Sequence, residues 1–245
     1  MMLPPGMEPL VAASLLATSL AASFITIAFG IGGGVLLLAV MASLVPPTAL
    51  IPVHGAVQFG SNVGRVFFMF RHIAWTHVVP FSIGSLGGVM AGGAIVINLP
   101  PAIVQVGVGL FVLWSIFLKP PRWLRQMPLV TGALSSFLTM FFGATGPFVA
   151  TLTKSLALDR RGHVATHATL MTIQHLLKTI MFGFVGFAFA PWLPLTAAMI
   201  GAGAVGTFLG RKVLDRLSDN GFRLALDAIL VLLALRLIVQ GVFDL

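Results

Sequence analysis

The chain contains no cysteine, and only six of its 245 residues are acidic. The first absence excludes disulfides, thiolate metal sites and cysteine chemistry, and it leaves the redox compartment undefined. Charged residues of both signs make up just 8% of the sequence, against about 25% in a typical soluble domain. So few charges cannot cover a globule that is 58% hydrophobic, and a mean hydropathy of +1.06 marks an integral membrane protein. Period-two alternation is lacking as well. Long continuous apolar runs take its place, which points to an all-α polytopic membrane protein rather than a barrel. The first ten residues, MMLPPGMEPL, carry no Lys or Arg, so no secretory signal peptide is expected. The net charge of +8 is assigned to cationic cytoplasmic loops, not to nucleic-acid binding.

Apolar segments run at 10–44, 48–70, 76–97, 102–118, 128–157, 163–188, 194–210 and 222–240. Each exceeds or approaches the ~20 residues that span a bilayer, which gives about eight membrane segments. The first and fifth are the longest, and both are interrupted by Gly or Pro. They also resemble each other: "SFITIAFGIGG" (23–33) matches "SFLTMFFGATG" (136–146) at six of eleven positions. The same offset of 113 residues pairs His54 with His167, Asn62 with His175, and Arg65 with Lys178. An internal duplication follows, with a first membrane repeat at 1–118, a basic linker at 119–127 and a second repeat at 128–245.

Charge placement orients the repeats. Cationic linkers fall at Arg71–His72, Lys119/Arg122/Arg125, Arg160–Arg161 and Arg211/Lys212/Arg216/Arg223; neutral ones fall at 45–50, 98–101 and 189–195. All the cationic linkers share one face only if segments one and five each return to the side they entered. The positive-inside rule favours that arrangement. The expectation is therefore two inverted four-segment repeats with both termini extracytoplasmic, and with segments one and five either re-entrant or each made of two short spans.

The breaks are the first candidates for chemistry. Gly30, Gly32, Gly33 and Gly34 interrupt segment one; Gly143, Thr145, Gly146 and Pro147 interrupt segment five. Non-helical backbone at membrane depth survives where it is buried in protein or lines a cavity. A half-helix N-terminus there offers backbone donors and partial positive charge, which suits an anion. Close helix packing is the simpler reading for Gly84, Gly88 and Gly92, and for Gly201, Gly203, Gly206 and Gly210, which are evenly spaced within single spans. Polar stripes come next. His54, Gln58, Asn62 and Arg65 share one face of segment two; His167, Gln174, His175 and Lys178 share one face of segment six. Such stripes should face the protein interior or a cavity. Arg65 is either a snorkelling anchor or a ligand, and each histidine alone is either a packing residue or part of a site. Lys154 is read as snorkelling toward the Arg160 face. The expected anion site comprises Gly32, Gly33, Gly34, His54, Gln58, Asn62, Arg65, Thr145, Gly146, His167, Gln174, His175 and Lys178. Arg65 is expected toward the cytoplasmic end and Lys178 toward the outside.

No acidic residue lies at the centre of a span. Na⁺ and divalent-cation pathways normally supply carboxylates, so their lack favours an anion, with no metal and no cofactor. If transport is proton-coupled, His54, His167 and His175 are the interior groups with an ordinary pKa near neutrality. A passive anion channel fits the same polar path. An intramembrane serine hydrolase would draw on Ser135 or Ser136, but no G-x-S-x-G pattern and no interior carboxylate supports it.

"GIGGG" at 30–34 followed by Pro46/Pro47, and "GATGP" at 143–147 followed by the basic loop at 159–163, resemble the sulfite exporter TauE/SafE family over about 20–240. The resemblance implies secondary transport: export of small sulfur-containing anions such as sulfite or organosulfonates across a bacterial inner membrane. Partners are then the anion and the lipid bilayer, with no nucleic acid; whether the chain acts alone or as a homodimer stays open. Thr145 and Pro147 stand where the first repeat has Gly32 and Gly34, so the site is pseudo-symmetric.

Overall fold

A computed structural model describes residues 3–29, 32–96, 100–118, 122–213 and 220–243. Gly30 of the first break, residues 98 and 99, Lys119, Asp215, Arg216, Asp219 and Asp244 lie outside the described residues. Those described form ten α-helices and no strand: α1 (Pro9–Phe29), α2 (Gly33–Leu44), α3 (Pro47–Met69), α4 (Val78–Val96), α5 (Pro101–Phe117), α6 (Pro128–Phe142), α7 (Gly146–Ser155), α8 (Arg160–Phe184), α9 (Leu193–Val213) and α10 (Asn220–Phe243). Short 3₁₀ turns at Phe70–His72, Trp75–His77, Arg122–Gln126 and Ala190–Trp192 join some of them.

Helix boundaries repeat with the offset read from the sequence. Phe29 closes α1 as Phe142 closes α6, Gly33 opens α2 as Gly146 opens α7, and Pro47 opens α3 as Arg160 opens α8. Proline supplies several of these starts. Pro47, Pro101, Pro128 and Pro147 occupy first-turn positions, where a missing N–H costs nothing. The breaks rest on left-handed glycines, Gly32 at φ +104° and Gly143 at φ +80°, a region that penalises a Cβ by roughly 1–2 kcal/mol.

Packing follows the same exchange of halves. α3 and α8, equivalent under the offset, run antiparallel: His54 lies beside His175, and the Ala74 N–H bonds the Thr166 hydroxyl at 3.0 Å. α5 and α10 are also antiparallel, with Gly109 against Ala234 and Ile238, and Gly241 against Ala102 and Val106. The other close pairs cross between halves and run parallel. Gly84, Gly88 and Gly92 bring α4 onto Leu129, Ala133 and Met140 of α6; Gly203, Gly206 and Gly210 bring α9 onto Ser23, Leu20 and Phe24 of α1. Both stripes are packing seams, as small residues are between membrane helices, while Gly201 faces open space.

The linkers separate into two ends. At one end, Arg160 of α8 donates to the Ala28 carbonyl, the Ser155 hydroxyl donates to the Arg125 carbonyl, and a cavity of about 410 Å³ is lined by Thr76, His77, Arg125 and Ser155. At the other, a cavity of about 320 Å³ gathers Pro47, Thr48, Val96, Val104, Val185 and Phe187 from the neutral linkers and their flanks. α1 starts and α2 finishes at the neutral end. α6 starts and α7 finishes at the charged one. Each broken segment is thus a hairpin of unequal arms, 21 and 12 residues in the first and 15 and 10 in the second.

Three stretches are long and apolar enough to cross a membrane: Pro9–Ala28, Trp75–Val96 and Ala190–Lys212. α8 is longer than any of these and α3 as long as the longest, yet their buried faces are polar. Between the hairpins sits an apolar core that includes Leu38, Met41, Leu50, Val57 and Met140. Phe67, Ile83, Met90, Phe208 and Leu232 are exposed on the outside, as a lipid-facing surface requires.

Candidate functional site

α2 and α7 start beside one another, and a cavity of about 40 Å³ lies where their first turns meet α3 and α8. That volume holds a few waters or one small anion. Gly32, Gly34, Gly146 and Pro147 line it from the two breaks; His54, Gln58, Asn62 and Arg65 line it from α3, and His167, Met171 and His175 from α8. Thr26, Val35 and Ala144 complete the wall. In α2, the Val35 and Leu36 N–H groups both bond the Gly32 carbonyl, so Gly33 and Gly34 stand ahead of the intrahelical ladder. In α7, Pro147 has no N–H and Phe148 donates to Thr145, so Gly146 stands ahead of it.

The two offset-related histidines do equivalent things. His54 Nε2 lies 3.1 Å from the Gly34 carbonyl oxygen, and His167 Nε2 lies 3.3 Å from that of Gly146. A carbonyl only accepts, so the contact to it puts the proton of each ring on Nε2 and a lone pair on Nδ1; His54 Nε2 also lies 3.4 Å from the Gln58 side-chain nitrogen, the longer of its two contacts. Each histidine ties a long helix to the first turn of a half-helix. Arg65 is 2% exposed; one terminal nitrogen donates to Asn62 Oδ1 at 2.6 Å, and its Nε has no partner. Asn62 in turn donates to the Gln58 carbonyl at 2.7 Å. His175 is fully buried, its ring centroid is 5.9 Å from that of His54, and neither of its nitrogens has a partner. No carboxylate pairs with Arg65 or Lys178 among the described residues, and no group of three or more His, Asp or Glu there is arranged to hold a metal.

Four residues of the expected site stand elsewhere. A Cβ at Gly33 would lie 1.8 Å from the Ala22 carbonyl oxygen, so this glycine packs α2 against α1. Gln174 donates to Thr145 Oγ1 at 2.6 Å and accepts from Ser135 at 2.9 Å; these bonds hold Gln174 and Thr145 between α6, α7 and α8. Lys178 donates to the Gly143 carbonyl at 3.2 Å and to Thr139 at 3.3 Å, capping the C-terminus of α6. It sits between the cavity and the neutral end. Leu38 and Ile51 close against Gly143 there, and Met140 and Phe182 reach the neutral-end cavity. Lys154 is exposed.

Sequence reasoning passed over Thr26 and Met171 as wall residues. Thr26 offered a signal, since it is one of the six identities shared with the second break. Its hydroxyl donates back to Ala22 within α1.

A family model described as Sulfite exporter TauE/SafE matches residues 15–237, nearly the whole chain. No curated protein and no solved structure matches the chain.

Proposed function

The chain belongs to the sulfite exporter TauE/SafE family, a family of membrane transporters, and on that premise we propose that it exports small sulfur oxyanions, sulfite or organosulfonates, across the bacterial cytoplasmic membrane. The observation that carries the reading is the cavity itself. It joins two half-helix starts, a buried arginine with a free Nε and a histidine with two free nitrogens, and among the described residues no carboxylate faces them. Donors and partial positive charge converge where an anion would sit.

On this reading the two repeats are inverted in the membrane, with the charged end cytoplasmic and both termini outside. Antiparallel α3 and α8, and the division of linkers into a charged and a neutral end, support it. The anion enters from the charged side, where His163 stacks 6.2 Å from His167, and is held by Arg65 and the first turns of α2 and α7. Toward the neutral side the path is closed at Leu38, Ile51 and Gly143. Exit requires the two hairpins to part there, and Lys178, now bound to Gly143, becomes the next cation the anion meets. His54, His167 and His175 are the groups available for proton coupling.

Purified protein in proteoliposomes tests this. Sulfite should move against its gradient when a pH gradient is imposed, whereas a passive channel only dissipates the sulfite gradient. Indifference to sulfite, thiosulfate and small sulfonates alike would remove the reading.

A further inference from the structure

The cavity offers one permanent positive charge, Arg65, and more than one unmet hydrogen-bond acceptor. His54 spends its Nε2 proton on the Gly34 carbonyl, which leaves Nδ1 as a buried lone pair without a partner. His175 is fully buried and bonds nothing through either nitrogen, so a neutral ring presents one donor and one further lone pair. Buried acceptors left unmet cost about 1–3 kcal/mol each, and a wall built only for a fully ionised oxyanion would have no use for them. A dianion would bring a second negative charge that meets no second cationic side chain on the cavity wall, only the partial charges of the two helix starts, an expensive excess in a water-poor site. Lys178 does not supply it, because its Nζ is held by Gly143 and Thr139 outside the cavity.

We infer that the cavity takes a singly charged oxyanion that carries its own hydrogen-bond donor, the half-protonated form of a diprotic acid rather than its dianion; the inference rests on the anion reading above. Arg65 Nε and the starts of α2 and α7 receive the charged oxygens. The ligand's hydroxyl donates to the lone pair of His175, with that of His54 next to it. Hydrogensulfite, bound as its O–H tautomer, meets this description; sulfate does not at any working pH. Methanesulfonate matches the charge but has no donor. The titratable groups that face His175 are His54 and Arg65 from α3, and His167 and Lys178 from its own helix.

Calorimetric titration of the whole protein in lipid nanodiscs, with sulfite, sulfate and methanesulfonate at about pH 6 and about pH 8.5, is the test. Sulfite affinity should fall by about tenfold per pH unit once the monoanion is the minor form, while methanesulfonate, which does not titrate, reports any change in the protein itself. Sulfate should fail to compete. At the lower pH sulfite should bind at least about tenfold more tightly than methanesulfonate, and His175→Leu should abolish that preference without abolishing methanesulfonate binding. Sulfate binding as well as sulfite, or sulfite binding equally at both pH values, would overturn the inference and leave the anion reading standing. Binding of none of the three would overturn both. If the His175→Leu protein does not fold, the wild-type pH series and the sulfate competition still decide.

Discussion

Gln174 and Lys178 lie one turn apart on α8, and neither points its polar atoms at the cavity. Gln174 bridges Ser135 and Thr145, so Gln174→Leu should destabilise the protein by about 1–3 kcal/mol through two abandoned partners. Thermal unfolding in detergent measures this, and anion affinity should stay within about twofold of wild type. Lys178 separates from Arg65 by a different readout. Lys178→Gln should lower the maximal sulfite flux while leaving equilibrium affinity nearly unchanged, because its Nζ caps α6 on the exit side of the cavity. A weakened affinity with normal maximal flux would place Lys178 in the binding site instead. The helical spacing of His167, Gln174, His175 and Lys178 was enough to predict that all four are buried. It did not say which neighbour each would find. A stripe two residues wide faces α6, α7 and the cavity at once, and only tertiary packing divides it.

Hairpins α1–α2 and α6–α7 were the most legible elements, since the eleven-residue match locates both breaks and the helix boundaries repeat with the same offset. Their unequal arms were not legible, because apolar length alone does not say where within a run the chain turns. The glycine stripes were legible as packing seams, and they give a local test. A Cβ on Gly88 would lie 2.1 Å from the Ala133 carbonyl oxygen, whereas nothing stands within 4 Å of one on Gly87. Gly88→Ala should therefore force α4 off α6 at a cost of about 1–3 kcal/mol, with Gly87→Ala close to neutral. The difference in unfolding midpoint between these adjacent variants checks the seam. Equal midpoints would mean that α4 and α6 do not approach this closely.

For the molecule as a whole, the distribution of the few charges carries the topology. Among the described residues, Thr76, His77, Arg125 and Ser155 gather at one end of the bundle and Pro47, Thr48, Val185 and Phe187 at the other, a division that supports the inverted arrangement proposed above. The absence of cysteine makes the membrane orientation directly measurable. Single cysteines at Gln126 or Ser155 should react with an impermeant thiol reagent only from the cytoplasmic side, and those at Thr48 or Phe187 only from the opposite side. Labelling of all four from one side would remove the inverted arrangement. What composition and charge could not supply was the substrate, because a helix start and an arginine receive many anions alike. The central claim is that a sulfur oxyanion crosses through the cavity at Arg65, and sulfite flux in proteoliposomes compared between wild type and Arg65→Gln tests it most directly. With both proteins equally folded, the substitution should lower flux at subsaturating sulfite by about tenfold or more, the worth of a hydrogen bond to a charged group at ~1.5–3 kcal/mol. Undiminished flux through Arg65→Gln would contradict the account.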